Sequence, residues 1–278
     1  MKLCELLNYV FHKTLILVIL LILFPSQAIS QNEQNTPTLN GKNIIYVYGG
    51  WEGHKPEESV DLIVPKLRAE GANVKIFDSL SVYSDQMIMN DTDLIIQAWT
   101  MGKITEKQFQ GLEKAVMNGT GFAGWHGGTG DSFRDNLMYQ FMVGGQFLFH
   151  PGGSIDHSIK IIDKSDPITN GLKDFDLKKT EQYYMLIDPN IKVLAISEFD
   201  RDKYENLEKE ENKITGSTMP VVWKKNYGKG RIFYSSIGHN LADFEVSEVM
   251  TMQMRGFRWA SEGKYAEKEP TITPIYSK

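Results

Sequence analysis

Apolar positions along this chain fall into two spacings that follow one another in turn. Short apolar runs are typical of buried parallel strands, whereas apolar residues three and four positions apart, as between residues 57 and 70, are typical of helices. The strands predicted in the first half cover residues 43–48, 73–77, 93–98 and 121–124, and the helices cover residues 57–70 and 105–117. Because strand and helix alternate, we expect an α/β fold with a mostly parallel sheet.

The second half of the chain has a less regular pattern. We predict strands at residues 158–162, 192–197, 220–223 and 231–236, the last pair joined through residues 226–230, and a closing helix at residues 243–260. A charged run at residues 201–215 is typical of a solvated loop. The sequence has no internal repeat and no clear second domain, so we predict one domain over residues 42–262 and a loose tail over residues 263–278.

The N-terminus has the layout of a secretory signal peptide. Two lysines flank an apolar run at residues 15–24, and small residues follow it. This predicts a signal over residues 1–30, cleaved after Ala28 or Ser30, and a polar linker over residues 31–41. The apolar run is short for a membrane span, so we expect a periplasmic or secreted protein with no stable span after cleavage. The alternative is an uncleaved N-terminal anchor.

Composition narrows the classes of protein and of partner. The chain has 278 residues, a net charge of −5 and one cysteine, Cys4, which lies in the predicted signal. The mature chain would therefore have no disulfide and no thiol nucleophile, and a domain of this length can form an ordinary core. The chain has no stripe of basic residues, so we do not expect nucleic acid as a partner. A homo-oligomer stays open.

One glycine-rich stretch, residues 121–130, stands out as a candidate for chemistry. Its Gly124-x-His126-x-Gly128 pattern has the spacing of a nucleophile elbow, in which a sharp turn after a strand presents one side chain at the edge of the sheet. That side chain is a histidine here. Histidine can ligate a metal ion or move a proton, but it is a poor acyl-enzyme nucleophile. We expect a helix to follow, with Asp131 as its N-cap.

Three histidines follow the ends of three predicted strands: His54, His126 and His239. Ligands of open α/β sheets bind at the carboxyl ends of the strands, so these side chains could converge there. A catalytic zinc site commonly has three protein ligands and one open position. We therefore predict a divalent metal ion, with zinc as the first choice, although iron, nickel or copper would also suit imidazole. The alternative is that each histidine only forms hydrogen bonds in a loop or core.

Further candidates lie in neighbouring loops. Glu181, in a polar stretch beside two tyrosines, is our choice for a fourth ligand or general base, and Glu181 and His126 are the candidate catalytic residues. Flat aromatic rings pack on the apolar faces of sugars, which favours a carbohydrate pocket. The candidate substrate-binding residues are Trp51, Trp125, His150 and Tyr183. The alternative for each ring is an ordinary place in the core or at its rim.

Taken in order, these motifs resemble the trehalose-utilisation (ThuA-like) family. The matching stretches are GGWEGH at 49–54, GWHGG at 124–128, GGQFLFHP at 144–151, DPITNGL at 166–172, EQY at 181–183, PVVW at 220–223, GKGRIFY at 228–234, GH at 238–239 and RGFRWA at 255–260. Together they span nearly all of the predicted domain. The resemblance implies a class I glutamine amidotransferase-like fold, a flavodoxin-like three-layer α/β/α sandwich.

The resemblance also bears on chemistry. The family is associated with the use of disaccharides, including oxidised 3-keto sugars, and its members carry histidines that match His54, His126 and His239. The amidotransferases have a cysteine at the elbow, where this chain has His126, so we reject glutaminase activity.

We therefore consider three functions. The first is an exported metal-dependent enzyme that acts on a sugar or keto-sugar, as a lyase, hydrolase or isomerase, by proton abstraction next to a carbonyl. The second is a carbohydrate-binding protein without catalysis. The third is a metal-independent amidase or peptidase with a serine nucleophile such as Ser132.

Overall fold

The computed structural model describes residues 37–200 and 214–265. The predicted signal peptide, residues 31–36 of the linker, most of the charged run at 201–215 and most of the tail therefore lie outside the described residues. The described residues from Leu39 onward belong to one compact unit. Among them, none of the helices has both the length and the apolar character that a membrane crossing requires.

Eleven strands form two sheets in the described part of the chain. In chain order they are β1 Asn43–Gly50, β2 Asn73–Phe77, β3 Leu94–Thr100, β4 Gly121–Trp125, β5 Gly145–Phe149, β6 Ser154–Ile161, β7 Phe175–Glu181, β8 Tyr184–Ile187, β9 Lys192–Glu198, β10 Thr218–Tyr227 and β11 Gly230–Ser235. The main sheet has the order β2-β1-β3-β4-β11-β10-β9-β6-β7, and β5 pairs with β8 in a small second sheet.

The main sheet has a parallel half and an antiparallel half. Strands β2, β1, β3, β4 and β11 pair in parallel, as the first half of the sequence predicts. Strands β10, β9, β6 and β7 extend this sheet in antiparallel pairings. The carboxyl ends of β1, β3, β4 and β11 therefore lie side by side at one edge.

Helices cover both faces of this sheet. They are α1 Pro56–Ala69, α2 Gln86–Asp91, α3 Glu106–Met117, α4 Gly127–Gly130, α5 Leu137–Val143 and α6 Ser247–Ala260, with 3₁₀ turns at Glu52–His54, Leu80–Ser84 and Leu241–Glu245. Alternate residues of a strand point to opposite faces. In β1, Ile44 packs with the core on the side of α1 and α6, and Ile45 packs with the core on the side of α3 and α5. The predicted three-layer α/β/α arrangement is confirmed.

The sequence prediction differs from the structure where local signals were weak. The predicted helix at 243–260 is a 3₁₀ turn followed by α6, and strands β5, β7 and β8 were missed. The prediction that Asp131 caps a new helix is wrong. The helix after the elbow, α4, begins at Gly127 and has Asp131 at its end. The Asp131 carboxylate instead pairs with the Arg134 guanidinium, whose Nη2 lies 2.8 Å from Oδ2.

The antiparallel end of the main sheet curls back toward the parallel half. Strand β7 is four positions from β11 in the sheet order, which in a flat sheet would separate them by about 19 Å. Yet the hydroxyl of Thr180, near the end of β7, donates a 2.7 Å hydrogen bond to Asp243, which follows β11. The curl therefore carries the end of β7 to the carboxyl edge of the parallel strands.

We expect one ion pair of the antiparallel half to make stability depend on pH. The Asp163 carboxylate, just after β6, lies 2.9 Å from Lys192 Nζ at the start of β9 and accepts hydrogen bonds from Ser165. Partial burial alone raises the pKa of Asp163, but the bonds from Lys192 and Ser165 outweigh burial and lower the pKa to about 2. A lowered carboxyl pKa stabilises the fold above the unfolded-state pKa, and the effect is lost as pH falls through the folded-state value.

Asp163→Asn should therefore lower the free energy of unfolding at pH 7 by about 1 kcal/mol, an amount that allows for solvent screening. The difference from the unchanged protein should shrink between about pH 4 and pH 2. Urea unfolding across this range measures it. A difference that stays constant with pH would contradict the prediction.

Candidate metal centre

The elbow after β4 fixes the position of His126. This residue has φ +43° and ψ −140°, an unusual conformation for a residue with a side chain. Its backbone N–H donates a 2.7 Å hydrogen bond to Ser235 O, and its carbonyl oxygen accepts one from the Tyr234 hydroxyl. The turn leaves the imidazole at the carboxyl edge of the sheet with 1% of its surface exposed.

His54 reaches the same edge from the 3₁₀ turn after β1. Its Nδ1 lies 2.9 Å from the hydroxyl oxygen of Thr100, the last residue of β3. Its ring also packs against the backbone of Gly127, where an added Cβ would lie 2.3 Å from His54 Cε1. A glycine is therefore required at position 127 for this ring to occupy its place.

His239 follows the end of β11 and completes the set of three imidazoles. The ring centroids of His54, His126 and His239 lie 4.7 to 5.3 Å apart. The Nδ1 atom of His239 is buried and has no hydrogen-bond partner among the described residues. It lies 3.2 Å from Glu181 Oε2, in a geometry that does not make a hydrogen bond.

Glu181 brings a carboxylate from the end of β7. Its Oε2 atom lies 3.2 Å from both His126 Nε2 and His239 Nδ1, and its Oε1 atom lies 3.6 Å from His150 Nε2. One potential ligand atom from each of His54, His126, Glu181 and His239 lies within 4.8 Å of the others. This His₃Glu group could hold a metal ion.

The tautomer of His126 tests whether a cation fits. Its Nδ1 lies 2.8 Å from the carbonyl oxygen of Ser236, which can only accept a hydrogen bond, so Nδ1 carries the proton. In the neutral ring, Nε2 is then a bare lone pair that faces the carboxylate of Glu181. A lone pair that faces a carboxylate oxygen at 3.2 Å is unfavourable unless a cation lies between them or the ring is protonated.

The pKa shifts of His54 and His126 favour the neutral form of both rings. Burial lowers the pKa of His54 to about 3, and the neighbouring imidazoles of His126 and His239 act in the same direction. Burial also lowers the pKa of His126, although Glu181 and Ser236 oppose it. Metal ions bind neutral imidazoles and ionised carboxylates, so the lowered pKa values of His54 and His126 favour the form of these rings that a divalent cation needs.

The predicted substrate-binding residues fall into two groups. Trp51 is 47% exposed and contacts His54 edge-to-face at 4.7 Å, and His150 is also exposed beside Glu181. Tyr183 is buried, with its ring stacked on His126 at 3.9 Å, so it supports the imidazole from one side. Trp125 is not brought to the open side of the site, because its ring is buried and packs edge-to-face on Phe244.

The structure argues against Ser132 as a nucleophile. Its side chain is fully buried, and its hydroxyl donates a 2.6 Å hydrogen bond to the carbonyl oxygen of Trp99. It also accepts a hydrogen bond from Gln97 Nε2. The hydroxyl is therefore occupied in the core, and none of its hydrogen-bond partners among the described residues is a basic side chain.

The residues that orient the imidazoles were not among those predicted from the sequence. Thr100 could have been found as a polar residue at the end of a buried apolar strand, since that is where ligands of such sheets bind. Ser236 acts through its backbone carbonyl oxygen, and a backbone atom gives no signal in the sequence.

One cavity lies beside two of the imidazoles, and a second lies beyond the end of β3. A small cavity of about 10 Å³ lies behind the imidazoles, lined among others by His54, Ser59 and His126. This is about the smallest cavity that can hold one water molecule. A larger cavity of about 500 Å³ begins at Gly102, beyond the end of β3, and none of the four candidate ligands lines it. We therefore do not assign the larger cavity to the metal centre.

The fold and the site define an α/β protein with a His₃Glu group at the carboxyl edge of its parallel strands. The family model described as ThuA, trehalose utilisation, matches residues 43–260. This match covers most of the sequence, so the chain belongs to the ThuA family of carbohydrate utilisation. A comparison with proteins of curated function finds no match.

Solved structures of other proteins share this fold. A ThuA-like protein from Bacteroides uniformis matches with a TM-score of 0.65 and 18% identity over 79% of this chain and 91% of its own. A ThuA-like protein from Parabacteroides merdae matches with a TM-score of 0.62 and 18% identity over 84% and 95%. A cytoplasmic protein from Salmonella typhimurium matches with a TM-score of 0.54 and 12% identity over 78% and 99%. At these identities the likeness establishes the fold.

Gly127→Ala should weaken metal binding while the protein stays folded. The new Cβ would overlap the His54 ring, which would have to turn away from Thr100 and from the other ligands. We expect a loss of zinc affinity of about 10- to 100-fold, measured by competition with a chromophoric chelator. A thermal unfolding scan of the metal-free variant checks its folding, and unchanged affinity in a folded variant would contradict the prediction.

Proposed function

We propose that this protein is an exported, metal-dependent enzyme of carbohydrate utilisation that acts on a sugar or keto-sugar. The observation that carries the proposal is the single carboxylate oxygen of Glu181, 3.2 Å from nitrogens of both His126 and His239. Membership of the ThuA family supports carbohydrate as the substrate class. The sequence of the N-terminus supports export, and N-terminal sequencing of the protein from the periplasmic fraction tests it. Protein found only in the cytoplasmic fraction, with an intact Met1, would contradict export.

His54, His126 and His239 would hold the ion, with zinc as the expected metal and Glu181 as fourth ligand or base. A bound divalent ion supplies Lewis acidity, which polarises a carbonyl oxygen. The protein orients the ligand atoms before the metal binds. Thr100 holds His54, and the Ser236 carbonyl oxygen holds His126 in one tautomer. Such outer partners raise metal affinity because they fix the tautomer and direction of each imidazole.

Glu181 is the residue best placed to remove a proton from a substrate. Its Oε2 faces the imidazoles, whereas its Oε1 faces the exposed side chain of His150. A carboxylate held beside a polarised carbonyl can take the acidified proton on the neighbouring carbon. We therefore propose proton abstraction next to a carbonyl as the first step of a lyase, hydrolase or isomerase reaction. Trp51 offers an exposed aromatic face next to His54 on which a sugar ring could pack.

The exposed ring of Trp51 also favours a second candidate function, a carbohydrate-binding protein without catalysis. In that case the sugar would bind to the aromatic surface, and binding would be indifferent to chelators. A test for turnover therefore distinguishes the enzyme from the binding protein better than a test for sugar binding does.

The metal content of the mature protein tests the centre directly. Protein purified without added metals and without a histidine tag should contain close to one equivalent of a divalent ion by elemental mass spectrometry. The triple variant His54→Ala/His126→Ala/His239→Ala should contain almost none, since all three imidazole ligands are gone. His157→Gln, a change at a buried histidine of β6, is the control and should keep the metal. No metal in the unchanged protein, even after reconstitution with zinc, manganese, nickel and iron, would sink the metalloenzyme proposal.

Exchange of substrate hydrogen tests the chemical step. In D₂O the metal-loaded protein should incorporate deuterium next to the carbonyl of a 3-keto-sugar, followed by NMR. Glu181→Gln should slow this exchange by about 100-fold or more, because the amide is not a base. A sugar that binds to the protein without exchange, whether or not EDTA is present, would favour the binding protein instead.

A further inference from the structure

The strand pairing around Glu181 constrains the position of this candidate metal ligand only weakly. It is the last residue of β7, which among the described strands is an edge strand of the main sheet and pairs with β6. The pairing is irregular at this end, since the register shifts between Ile155 and His157, and Lys179 has φ +49°. Ladder hydrogen bonds to β6 therefore do not by themselves fix the Glu181 carboxylate against His239, which follows a different strand.

The side chain of Asp243 connects the end of β7 to the segment after His239. The Oδ2 atom of Asp243 accepts a 2.7 Å hydrogen bond from the hydroxyl of Thr180 and a 3.2 Å hydrogen bond from the backbone N–H of Asn240. Thr180 is the residue before Glu181, and Asn240 is the residue after His239. A single carboxylate oxygen thus ties together the immediate neighbours of two candidate ligands.

Burial makes this connection hard for water to replace. Thr180 is 1% exposed and Asp243 is 5% exposed. A buried acceptor that loses its donors is left unsatisfied, which is more costly than the loss of a solvated hydrogen bond. A further hydrogen bond, from Asn240 Nδ2 to Lys179 O at 3.2 Å, joins the same two segments.

We propose that Asp243 is a positioning residue, which acts through Thr180 to hold the Glu181 carboxylate against His239. The side chain of Asp243 touches neither of these candidate ligands in this role, and it sets the distance between their backbones. The proposal rests on the proposed metal site, because its consequence for binding exists only if Glu181 is a ligand. Outer partners of metal ligands typically contribute 10- to 100-fold in affinity.

Thr180→Val is the central test, since it keeps the shape of the side chain and removes only the hydroxyl. We expect it to weaken zinc binding by about 10-fold or more. Thr120→Val is the matched control, because Thr120 is equally buried and its hydroxyl donates a 2.9 Å hydrogen bond to Thr92 O at the opposite end of the strands. The control should lose comparable stability and change the zinc affinity less than twofold. Equal effects of the two variants on affinity would overturn the proposal.

A double-mutant cycle identifies the residue through which the connection acts. In a Glu181→Ala background there is no carboxylate to position, so Thr180→Val should add less than twofold to the loss of zinc affinity. A Thr180→Val effect that persists undiminished in this background would show that the connection does not act through Glu181.

Two changes at Asp243 separate the hydrogen bonds from the charge. Asp243→Asn keeps a side-chain oxygen that can accept both bonds, so it should retain most of the zinc affinity. Asp243→Ala removes both bonds and should resemble Thr180→Val. If the asparagine variant loses as much affinity as the alanine variant, the charge of Asp243 matters and its hydrogen bonds do not, which contradicts the proposal.

A crystal structure of metal-free Thr180→Val gives a readout that needs no metal. We expect the Glu181 carboxylate to move away from its 3.2 Å contact with His239 while the sheet stays intact. A carboxylate that keeps its place would overturn the positioning role, whatever the metal affinity. If instead the unchanged protein binds no metal but the carboxylate moves in the variant, the proposed function fails and the positioning role stands.

Discussion

Three imidazoles and a carboxylate converge on one small volume. The residues around them are arranged to hold these four groups close together. The lone pair of His126 Nε2 faces the Glu181 carboxylate because the Ser236 carbonyl oxygen holds the proton on the other nitrogen. Two acceptors at 3.2 Å repel unless a positive charge lies between them. The surrounding structure therefore has to hold these groups in place, and it does so through Thr100 at His54 and the Tyr183 ring stacked on His126.

The two halves of the main sheet contribute different parts of the group. Parallel strands β1, β4 and β11 end at one edge, so the loops after them deliver three imidazoles to neighbouring positions. The carboxylate comes from β7, which reaches this edge only because the antiparallel half curls. The parallel half alone would thus hold three neutral ligands. The antiparallel half adds a negative charge, which would lower the net charge of the group with a divalent ion from +2 to +1.

The parts of the fold that sequence could predict are those with strong local patterns. Strands β1, β3 and β4 have apolar runs, and α3 has a capping box between Thr105 and Gln108. Strand β7 has a polar edge sequence with few buried positions, so its pattern resembles a loop. The convergence of the three histidines could be predicted because each follows the end of a predicted strand, and ligands of such sheets bind at the carboxyl ends of the strands. The link from Asp243 to Thr180 spans 63 residues and depends on the curl of the sheet, which no local pattern encodes.

The elbow gives a histidine at this position an advantage over a serine or cysteine, because an imidazole has a second nitrogen that the protein can fix. The turn at φ +43° is strained by about 1–3 kcal/mol. It is held by the hydrogen bond from His126 N–H to Ser235 O and by the bonds that His126 O accepts, among them those from Gly130 N–H and the Tyr234 hydroxyl. A nucleophile at such a turn presents one heteroatom to the substrate. An imidazole has two, so Nδ1 can be fixed by the Ser236 carbonyl oxygen while Nε2 points into the site. In other proteins the elbow exposes a nucleophile. Here it directs the lone pair of His126 Nε2 into the site, and a metal ligand needs a lone pair directed in this way.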